Sequence, residues 1–583
     1  MSKKTQGSQW NDLRSWIATG SWEASDSWGL TGTWTMDGAS GTWESTTDST
    51  TDSTTDSARD STRGTFGSAN PAAPPRPPAD PAPAASAPTA PVLKIVATPD
   101  TAPETTAASD ADPDANADAV EPATGRRIDV GHWQHRLDEL REAHDVPGAT
   151  LAFVIDDEVQ ELASGVLNRR TGVEATTDSV FQLGSIAKVY TAALIMQLVE
   201  SGDLDLDAPV VTVLPEFATI DPEATKVITP RMLLSHTSGL TCDFHLDTGR
   251  GDDSLAKYVE AAKGVAMDCP PGTAVSYSGI GYVVLGRVVE VLTGTTWDQA
   301  LKDRLLTPLG LTHTMTLPEE VLPFRAAMGH LAGPEGEQML APAWDLMPRA
   351  AGPAARVCAT AGDLVRFARP HLDNGRSADG TRLLGPDSVA AMRHRETDVP
   401  DKWTVSADGW GLGWTLYDWD GVPGFGHDGA SIGQYAYLRV VPGAGVAVAL
   451  LTNGGGSRLL YADLMRELLS ELAGVTMPAP FAPAEQPPTV DITPWAGTYK
   501  REGVLITVSE KEGRPHLVYA FVDGMAGYSP DLEMELVPLS DTVFAGAGGG
   551  ASFAEDWMPV VFATMSDGSK YAYIGMRAAP KTA

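Results

Sequence analysis

The amino-acid composition changes abruptly near residue 127, and this break limits how much of the chain can form a packed domain. Before it lie a tryptophan-spaced segment, a Thr-Thr-Asp-Ser repeat over Thr46–Ser57 and a stretch rich in Ala, Pro and Asp over Asn70–Thr124. Such segments cannot bury enough apolar surface to offset the conformational entropy that folding removes. We therefore expect residues 1–126 to be a low-complexity, disordered tail and the later residues to carry the fold.

Tryptophans recur in this tail at intervals of six residues, and a further copy follows in a second Gly-Thr-Trp unit. Because six is even, an extended chain would place the rings on one face, and Asp37-Gly38 is typical of a hairpin turn. Three interpretations stay open: a locally collapsing tail without a specific role, a docking segment for a protein partner, and a substrate-like peptide. Docking is preferred over substrate. The residues are Trp10, Trp16, Trp22, Trp28, Trp34 and Trp43.

The charge and hydropathy of the chain exclude several classes of protein. A formal net charge of −34 over 583 residues argues against nucleic-acid binding, which needs clusters of Lys and Arg. No apolar run reaches the roughly 18 residues that cross a bilayer. The N-terminal Met1-Ser2-Lys3-Lys4 is not followed by the apolar core of a secretory signal. We expect a cytoplasmic protein with no membrane span and no nucleic-acid partner.

Cysteines and histidines do not form a metal-binding or disulfide pattern. Cys242, Cys269 and Cys358 are too few for a disulfide framework and lack the spacing of a zinc site. The 11 histidines include no His-x-His pair and no His-Glu-x-x-His helix. We expect ordinary packing thiols, no metal ion and no cofactor.

Lys188 is the only charged residue between Asp178 and Glu200, in an apolar run, Val180–Val199, that predicts a buried helix. Burial disfavours the ammonium form, so we expect a lowered pKa and a population of neutral amine. Ser185 precedes this lysine by three residues, which places both side chains on one helix face near the N-terminal N–H groups. Val180-Phe181-Gln182-Leu183 followed by Gly184-Ser185 also fits the order strand, tight turn, nucleophile and helix, which is plausible at the entrance of an active site. A neutral lysine beside a hydroxyl is a pair of nucleophile and base.

A second Ser-x-x-Lys pattern, at Ser254 and Lys257, has a different setting. It follows Gly251-Asp252-Asp253 and predicts a serine N-cap that opens a solvent-facing helix. The lysine of such a helix needs no burial. The apolar context therefore favours Ser185 as the nucleophile.

Five further short motifs follow the segment Phe181-Gln182-Leu183-Gly184-Ser185-Ile186-Ala187-Lys188. They are Leu233-Leu234-Ser235-His236-Thr237-Ser238-Gly239-Leu240, Pro271-Gly272-Thr273, Tyr277-Ser278-Gly279-Ile280-Gly281-Tyr282, Pro308-Leu309-Gly310-Leu311 and Gly426-His427-Asp428-Gly429. From roughly Ile128 to Leu472 the chain thus resembles the serine β-lactamase and penicillin-binding-protein superfamily, in the class C-like branch with carboxylesterases and D-aminopeptidases. The resemblance maps the family nucleophile and lysine onto Ser185 and Lys188. It implies an α/β (α+β) fold, with an antiparallel sheet flanked by helices and an all-helical subdomain.

The second family motif, Tyr-x-Asn, maps onto Tyr277-Ser278-Gly279. The resemblance implies that Tyr277 is a proton shuttle whose phenolate form is favoured by the charge of Lys188. A core tyrosine beside a Pro-Gly turn is the alternative. Gly279 lacks the amide that contacts the substrate in the family, which argues against efficient recognition of β-lactams or peptidoglycan.

The third family motif, Lys-Thr-Gly in typical β-lactamases, corresponds to His427-Asp428-Gly429. A histidine near its usual pKa of about 6.5 is mostly neutral, so it would bind a substrate carboxylate more weakly than a lysine does. The resemblance also implies that the backbone N–H groups of Ser185 and Ala430 form an oxyanion hole.

Gly429-Ala430-Ser431-Ile432-Gly433 offers a competing nucleophile, because it matches the Gly-x-Ser-x-Gly elbow of α/β-hydrolases. An elbow needs a buried strand before its serine and a helix after it. Here a strand-like segment, Tyr435–Val440, follows instead. Only His516 remains downstream as a triad histidine, so we reject Ser431.

The C-terminal region predicts an antiparallel β-domain. Leu505–Val508 and His516–Tyr519 alternate as strands do, and Asp-Gly turns occur at Asp523 and Asp567. Trp495-x-Gly497-x-Tyr499 resembles the lipocalin-like, barrel-like domain often appended to these hydrolases. We expect this domain to lie near the mouth of the active site, without a chemical role for its residues.

These observations predict four parts and one principal function. We expect a serine hydrolase that acylates Ser185, exchanges the proton through Lys188 and Tyr277, and passes the acyl group of a small-molecule or peptide substrate to water. A carboxylesterase is the first choice, and a D-amino-acid peptidase or weak β-lactamase the second. A peptide-cyclising, thioesterase-like acyl transferase is third, and a binding protein on a hydrolase scaffold is the non-enzymatic alternative. The parts are the tail (1–126), the catalytic domain (127–475), a Pro-rich linker (476–490) and the lipocalin-like domain (491–583).

Overall fold

The computed structural model describes residues 21–22, 32–33 and 128–583, apart from 156–157, 243, 334–336, 346, 528–529 and 548–556. In the tail, Ser21–Trp22 and Gly32–Thr33 pair as two short antiparallel strands. Apart from these four residues, the tail expected to be disordered lies outside the described residues, and so does the turn expected at Asp37-Gly38.

A large antiparallel sheet forms the centre of the catalytic region. Successive side chains of a strand point to opposite faces, and both faces of Gly148–Ile155 are buried. Phe153 packs on one face and Val154 on the other, so this strand is an uninterrupted apolar run. Within the described residues nine strands lie side by side in the order Thr397–Asp398, Gly409–Trp410, Thr415–Trp419, Val422–Ser431, Gln434–Val441, Val446–Thr452, Gly148–Ile155, Glu158–Asn168 and Val173–Glu174.

Long helices cover both faces of this sheet. Val130–Ala143 and Ser457–Ala473 pack their apolar sides against one face. Ala187–Glu200 and Ala361–Ala368 belong to the apolar core on the other face. The helix Ser457–Ala473 ends at Gly474, whose left-handed φ of 66° glycine adopts without strain.

Further helices form the helical part of the catalytic region. The longest of them, Ile280–Thr293, shares an apolar core with Ala187–Glu200. Several of the shorter ones have proline in their first turn, where its fixed φ fits the helix and its missing N–H costs nothing. These shorter helices are Pro222–Val227, Pro230–Leu234, Ser254–Ala262, Trp297–Leu301, Pro318–Val321, Gly352–Ala355 and Pro386–Arg393.

Short strands and single turns complete the catalytic region. Two small two-stranded ladders join Phe181–Gln182 to Cys358–Ala359 and His330–Ala332 to Gln338–Leu340. A π-helical turn at Lys302–Leu306 continues from the helix before it. The 3-10 turns are Gly184–Ile186, Val210–Thr212, Arg349–Ala351, Arg369–His371 and Pro442–Ala444, with Asp523–Met525 in the C-terminal region.

A nearly closed antiparallel β-barrel forms the C-terminal region. Tyr499 and Phe562 are part of its apolar core. The barrel nearly closes because N of Thr498, in the first strand, donates to O of Ala583 at 2.8 Å. Within the described residues its eight strands are Gly497–Arg501, Val504–Lys511, Arg514–Phe521, Leu532–Pro538, Val543–Ala547, Trp557–Thr564, Lys570–Ile574 and Arg577–Pro580.

The predicted fold class is confirmed: an antiparallel sheet flanked by helices is followed by a barrel-like β-domain. The helix predicted over Val180–Val199 begins later, at Ala187, and the predicted order of strand, tight turn, serine and helix is confirmed. Residues before it form a short strand, Phe181–Gln182, and Gly184 turns the chain with a φ of 52°. The proposed domain boundaries stay a prediction; residues 474–496 form neither helix nor strand.

None of the helices in the described part of the chain has the length and apolar character required to cross a bilayer.

Candidate active site

Ser185 lies where a tight turn enters the most buried helix of the catalytic region. It occupies the middle of the 3-10 turn Gly184–Ile186, between two buried neighbours, and is itself partly exposed. The helix Ala187–Glu200 begins directly after the turn and is buried along most of its length. The local structure thus holds one hydroxyl at the surface of an otherwise apolar segment.

Lys188 lies in the first turn of that helix, and its side chain is almost completely buried. Its Nζ is 3.4 Å from Oγ of Ser185 and donates to the carbonyl oxygen of Ala354 at 2.8 Å. Burial lowers the pKa of Lys188 to about 8, with the nearby charge of Arg577 acting in the same direction and Cys242 opposing it. At pH 7 about a tenth of the amine is therefore neutral, far more than for an exposed lysine.

The structure brings Tyr277 to the same place. Lys188 Nζ lies 4.6 Å from the centre of its ring. Burial raises the pKa of the Tyr277 phenol, and a hydrogen bond with Ser185 acts in the opposite direction. Desolvation therefore favours a neutral phenol in the free protein, in contrast to the phenolate form expected from the charge of Lys188.

The backbone around Ser185 packs directly against the strand Val422–Ser431. A Cβ placed on Gly184 would lie 2.5 Å from N of Ala430, and one placed on Gly429 would lie 3.0 Å from N of Ser185 and 1.9 Å from O of Leu183. Only residues without a side chain fit at these two positions. The backbone nitrogens of Ser185 and Ala430 consequently lie in adjoining, closely packed segments, and the oxyanion hole expected from them stays a prediction.

His427 is buried beside these groups and is uncharged. Burial, and secondarily the charge of Lys188, lowers its pKa to about 3. Its Nδ1 lies 2.6 Å from the carbonyl oxygen of Asp428, which can only accept, so Nδ1 carries the proton. Nε2 then presents a lone pair, and it has no hydrogen-bond partner among the described residues.

Gly279 caps the helix Ile280–Thr293 and borders a loop that carries Cys242. A Cβ at Gly279 would lie 3.0 Å from the carbonyl oxygen of Cys242 and 3.7 Å from its Sγ. The loop thus occupies space that an asparagine side chain would need. Cys242 was expected to be an ordinary packing thiol, yet it lies partly exposed at this edge of the site, unlike the buried Cys269 and Cys358.

Arg577, from the C-terminal barrel, is the functional candidate that sequence reasoning missed. Its Nη2 lies 3.4 Å from Sγ of Cys242, and its guanidinium carbon is 5.8 Å from the centre of the Tyr277 ring. Its charge contributes to lowering the pKa of Lys188. A cation of the barrel thus reaches the candidate site, although no chemical role was expected for residues of this domain.

The ring of His236 packs against the ring of Tyr277. N of Ser278 donates to its Nδ1 at 3.0 Å, and its ring centre is 4.5 Å from that of Tyr277 and 4.7 Å from that of Trp410. The residue has a left-handed φ of 59°, which is uncommon without glycine. Its motif, Leu233–Leu240, was noted in the sequence, but spacing alone did not indicate this contact.

The two competing serines lie in settings that do not favour catalysis. Ser431 ends the strand Val422–Ser431 and donates to Oε1 of Gln182, and a second strand rather than a helix follows it. Lys257, three residues after Ser254, is exposed and forms an ion pair with Asp253 at 2.9 Å. Asp253, and not Ser254, is the N-cap of that helix.

Comparison with known proteins gives consistent results. Residues 133–471 match the family described as Beta-lactamase. Penicillin-binding protein 4 of Amycolatopsis lactamdurans is 60% identical over 376 residues, which are 64% of this chain and 99% of that protein. The solved structure of SurE has a TM-score of 0.63 and 29% identity, and it covers 78% of this chain and 99% of its own. SurE has also been solved with D-Leu, with a TM-score of 0.60 and the same identity and coverage.

D-amino acid amidase from Ochrobactrum anthropi is similar in fold. Its complex with L-phenylalanine amide has a TM-score of 0.50 at 22% identity, and it covers 59% of this chain and 99% of its own.

Proposed function

The chain belongs to the Beta-lactamase family, and from this membership we propose that it is a serine hydrolase that works through an acyl-enzyme on Ser185. The observation that carries the proposal is the contact of 3.4 Å between Oγ of Ser185 and the buried Nζ of Lys188. With a pKa of about 8, a minor fraction of this amine is neutral at pH 7, and that fraction is able to take the hydroxyl proton.

Acylation follows from the arrangement of these groups. Oγ of Ser185 attacks the substrate carbonyl carbon as its proton passes to the neutral amine of Lys188. The N–H groups of Ser185 and Ala430 stabilise the resulting oxyanion. When the intermediate collapses, the bond to the leaving group breaks and the neutral phenol of Tyr277 gives it a proton. Tyr277 is then reprotonated from Lys188, which returns to the neutral amine.

Deacylation reverses these proton transfers. Water attacks the acyl-enzyme carbonyl, its proton passes through Tyr277 to Lys188, and the bond to Oγ of Ser185 breaks as Ser185 regains a proton. His427 borders the same space with a free lone pair on Nε2, so it accepts a hydrogen bond from an N–H or O–H of the substrate or of the incoming nucleophile.

The substrate class that fits best is an amide of a D-amino-acid-containing peptide. A relative at 60% identity is named for binding penicillin, and SurE was crystallised with D-Leu. Neutral His427 does not supply a charge for a carboxylate, but the guanidinium of Arg577, 5.8 Å from the centre of the Tyr277 ring, does. This cation weakens the case for an ester without a carboxylate, which was the first choice from the sequence.

An ester remains the second candidate. Gly279 and the loop around Cys242 leave no asparagine amide to bind the amide of a peptide substrate. An ester makes no use of that contact, so a carboxylesterase would lose nothing by its absence.

Intact mass spectrometry tests the proposed function. We expect wild-type protein to gain one fluorophosphonate adduct and one benzylpenicillin adduct, and Ser185→Ala to gain neither. Ser431→Ala is the matched control and should be labelled like the wild type. An adduct from the fluorophosphonate alone would replace the amide proposal by the ester one. No adduct on wild-type protein would contradict catalysis and favour a binding protein on a hydrolase scaffold.

A further inference from the structure

A turn of the C-terminal barrel reaches the segment that carries the proposed catalytic tyrosine, just before the helix Ile280–Thr293. Gly575 and Met576 connect Lys570–Ile574 to Arg577–Pro580, with left-handed φ values of 62° and 63°. Such a φ is uncommon for methionine and persists only where the surroundings hold it. The Met576 side chain is buried, which indicates that the turn is fixed by contacts and not by its own preference.

The backbone of this turn is hydrogen-bonded to Tyr277 and its neighbour. N of Tyr277 donates to O of Met576 at 3.0 Å, and N of Ala578 donates to Oγ of Ser276 at 3.1 Å. Ser276 Oγ in turn donates to Oδ2 of Asp268 at 2.6 Å. The position of the tyrosine backbone is therefore set partly by a residue of the barrel. Tyr277 and Met576 are far apart in the sequence, so this contact is a non-local one.

Asp401 binds the same turn by accepting a hydrogen bond from the backbone of Met576. Its carboxylate is completely buried and accepts from N of Met576 at 3.0 Å. The same oxygen accepts from Oγ1 of Thr404 at 2.6 Å. Since O of Met576 accepts from Tyr277 and N of Met576 donates to Asp401, both backbone groups of this residue are bound by the catalytic domain.

Side-chain packing also links Met576 to Tyr277. Met576, Tyr277, Val399 and Trp410 form one apolar cluster, in which Cys242 is a partly buried neighbour. A displacement of Met576 would open space directly beside the tyrosine ring. Loss of the hydrogen bond that N of Met576 donates to Asp401 should therefore disturb both the carbonyl acceptor of Met576 and part of the packing that orient the phenol.

We propose that Asp401 is a positioning residue, which acts through Met576 to hold Tyr277 where it transfers a proton to the leaving group. The proposal rests on the proposed function, because it assigns Tyr277 the role of general acid. Asp401 itself contacts neither Ser185 nor the reacting atoms. Its effect should therefore appear only in steps that depend on the tyrosine.

The dependence on the leaving group separates this role from a general loss of structure. p-Nitrophenolate departs without needing a proton, whereas phenolate is a poorer leaving group and gains more from an acid. General acid catalysis contributes roughly 10²–10⁴-fold where it is used. A misplaced tyrosine should thus slow phenyl acetate much more than p-nitrophenyl acetate, and kcat/KM reports this acylation step for both esters.

The experiment measures kcat/KM of full-length Asp401→Ala and Asp401→Asn with the two acetate esters, per active site counted with a fluorophosphonate. We expect Asp401→Ala to lose about 10- to 100-fold on phenyl acetate and less than about 3-fold on p-nitrophenyl acetate. Asp401→Asn keeps one acceptor and should recover part of the loss. Should the alanine variant fail to fold, the asparagine variant still carries the comparison.

The matched control is Glu502→Gln, which weakens another hydrogen bond between the barrel and the catalytic domain, from N of Ala266 at 3.3 Å. It should leave both rate constants unchanged. Equal losses on the two esters, or no loss in either Asp401 variant, would overturn the positioning role while leaving the proposed function intact. Wild-type protein that neither ester nor fluorophosphonate acylates would overturn the proposed function, and this proposal with it.

Discussion

At the scale of single residues, the candidate site depends on how burial changes the chemistry of three side chains. Burial lowers the pKa of Lys188 to about 8 and that of His427 to about 3, and it raises that of Tyr277. The result is a base with an accessible neutral form, an acceptor that stays neutral and a phenol that keeps its proton. Each of these states is the one that the proposed acylation needs.

The pH dependence of acylation follows from the first of these values. Neutral Lys188 is the active form, so kcat/KM for p-nitrophenyl acetate should rise with pH and level off above about 8. It should fall tenfold for each pH unit well below that value. His427→Gln is the control: because His427 is neutral above about pH 3, the substitution should not move this limb. An activity limb near pH 6.5 that disappears in His427→Gln would contradict the assignment.

The oxyanion hole gives a second prediction at this scale. Gly184→Ala would place a Cβ 2.4 Å from the carbonyl oxygen of Ala430 and separate the two N–H groups, so we expect kcat/KM to fall about 10²–10³-fold. Gly172→Ala is the matched control, since Gly172 also has a positive φ, of 68°, but no atom near its Cβ position. Both variants share the backbone strain, and only the first should lose activity. Equal activities would argue against the assigned hole.

The residues of the candidate site that could be predicted are those that lie close together in the sequence. Ser185 and Lys188 are three residues apart on one segment, and the apolar run around them already indicated a buried lysine. Cys242 and Arg577 could not be found in this way, because their contact joins a loop of the catalytic domain to the last strand of the barrel. Nothing in the composition of either segment indicates the other.

At the scale of secondary structure, the strand Val422–Ser431 presents different chemistry on its two faces. His427 points towards Tyr277, and the next residue, Asp428, points to the opposite face, where it pairs with Arg439 at 2.5 Å. Arg439 is fully buried between the rings of Tyr417 and Tyr461. The period of two along the strand therefore separates the catalytic face from a buried ion pair that supports it.

Removal of one member of this pair should be costly. Asp428→Ala leaves the buried guanidinium without its carboxylate, and we expect the free energy of unfolding to fall by about 3 kcal/mol, measured by urea denaturation. Glu158→Ala, at an exposed acid of the same sheet, should change it by less than about 0.5 kcal/mol. If Asp428→Ala is as stable as the control, the pair does not stabilise the sheet.

The boundaries of the strands and helices show how far the hydrophobic pattern of the sequence predicts secondary structure. The barrel strands around Leu505 and His516 were predicted from alternation, and they form as Val504–Lys511 and Arg514–Phe521. The order of strand, turn and helix around Ser185 was predicted, but the apolar run did not define the exact start of the helix at Ala187, because a buried strand and a buried helix have the same composition. The left-handed φ of Gly184, which ends the strand-like part, arises from its close approach to Ala430 and is not visible in the run itself.

At the scale of the whole molecule, the barrel forms part of the candidate site. Its turn at Met576 binds the backbone of Tyr277, and Arg577 brings a charge beside the ring. The sequence predicted the barrel and its place near the mouth of the site, because its motif resembles domains appended to related hydrolases. It did not predict these contacts, which depend on how the two folded parts pack.

The tail should be dispensable for turnover of a small ester. Every residue assigned to the site lies between Ser185 and Arg577, so a chain without residues 1–126 should keep kcat/KM for p-nitrophenyl acetate within about 2-fold, as expected where substituted positions are distant from the site. The full-length protein measured in parallel is the reference. A large loss would mean that the Trp-rich segment contributes to the site.

With Tyr277 in its proposed role, the contact between Met576 and Tyr277 also determines when a newly synthesised chain becomes active. Translation proceeds from the N-terminus, so Ser185, Lys188 and Tyr277 leave the ribosome well before the turn that holds the tyrosine. A nascent chain with a folded sheet but no barrel would carry its nucleophile and base with the phenol unfixed. We therefore expect activity to appear late in synthesis, after the surrounding domain has already had time to fold.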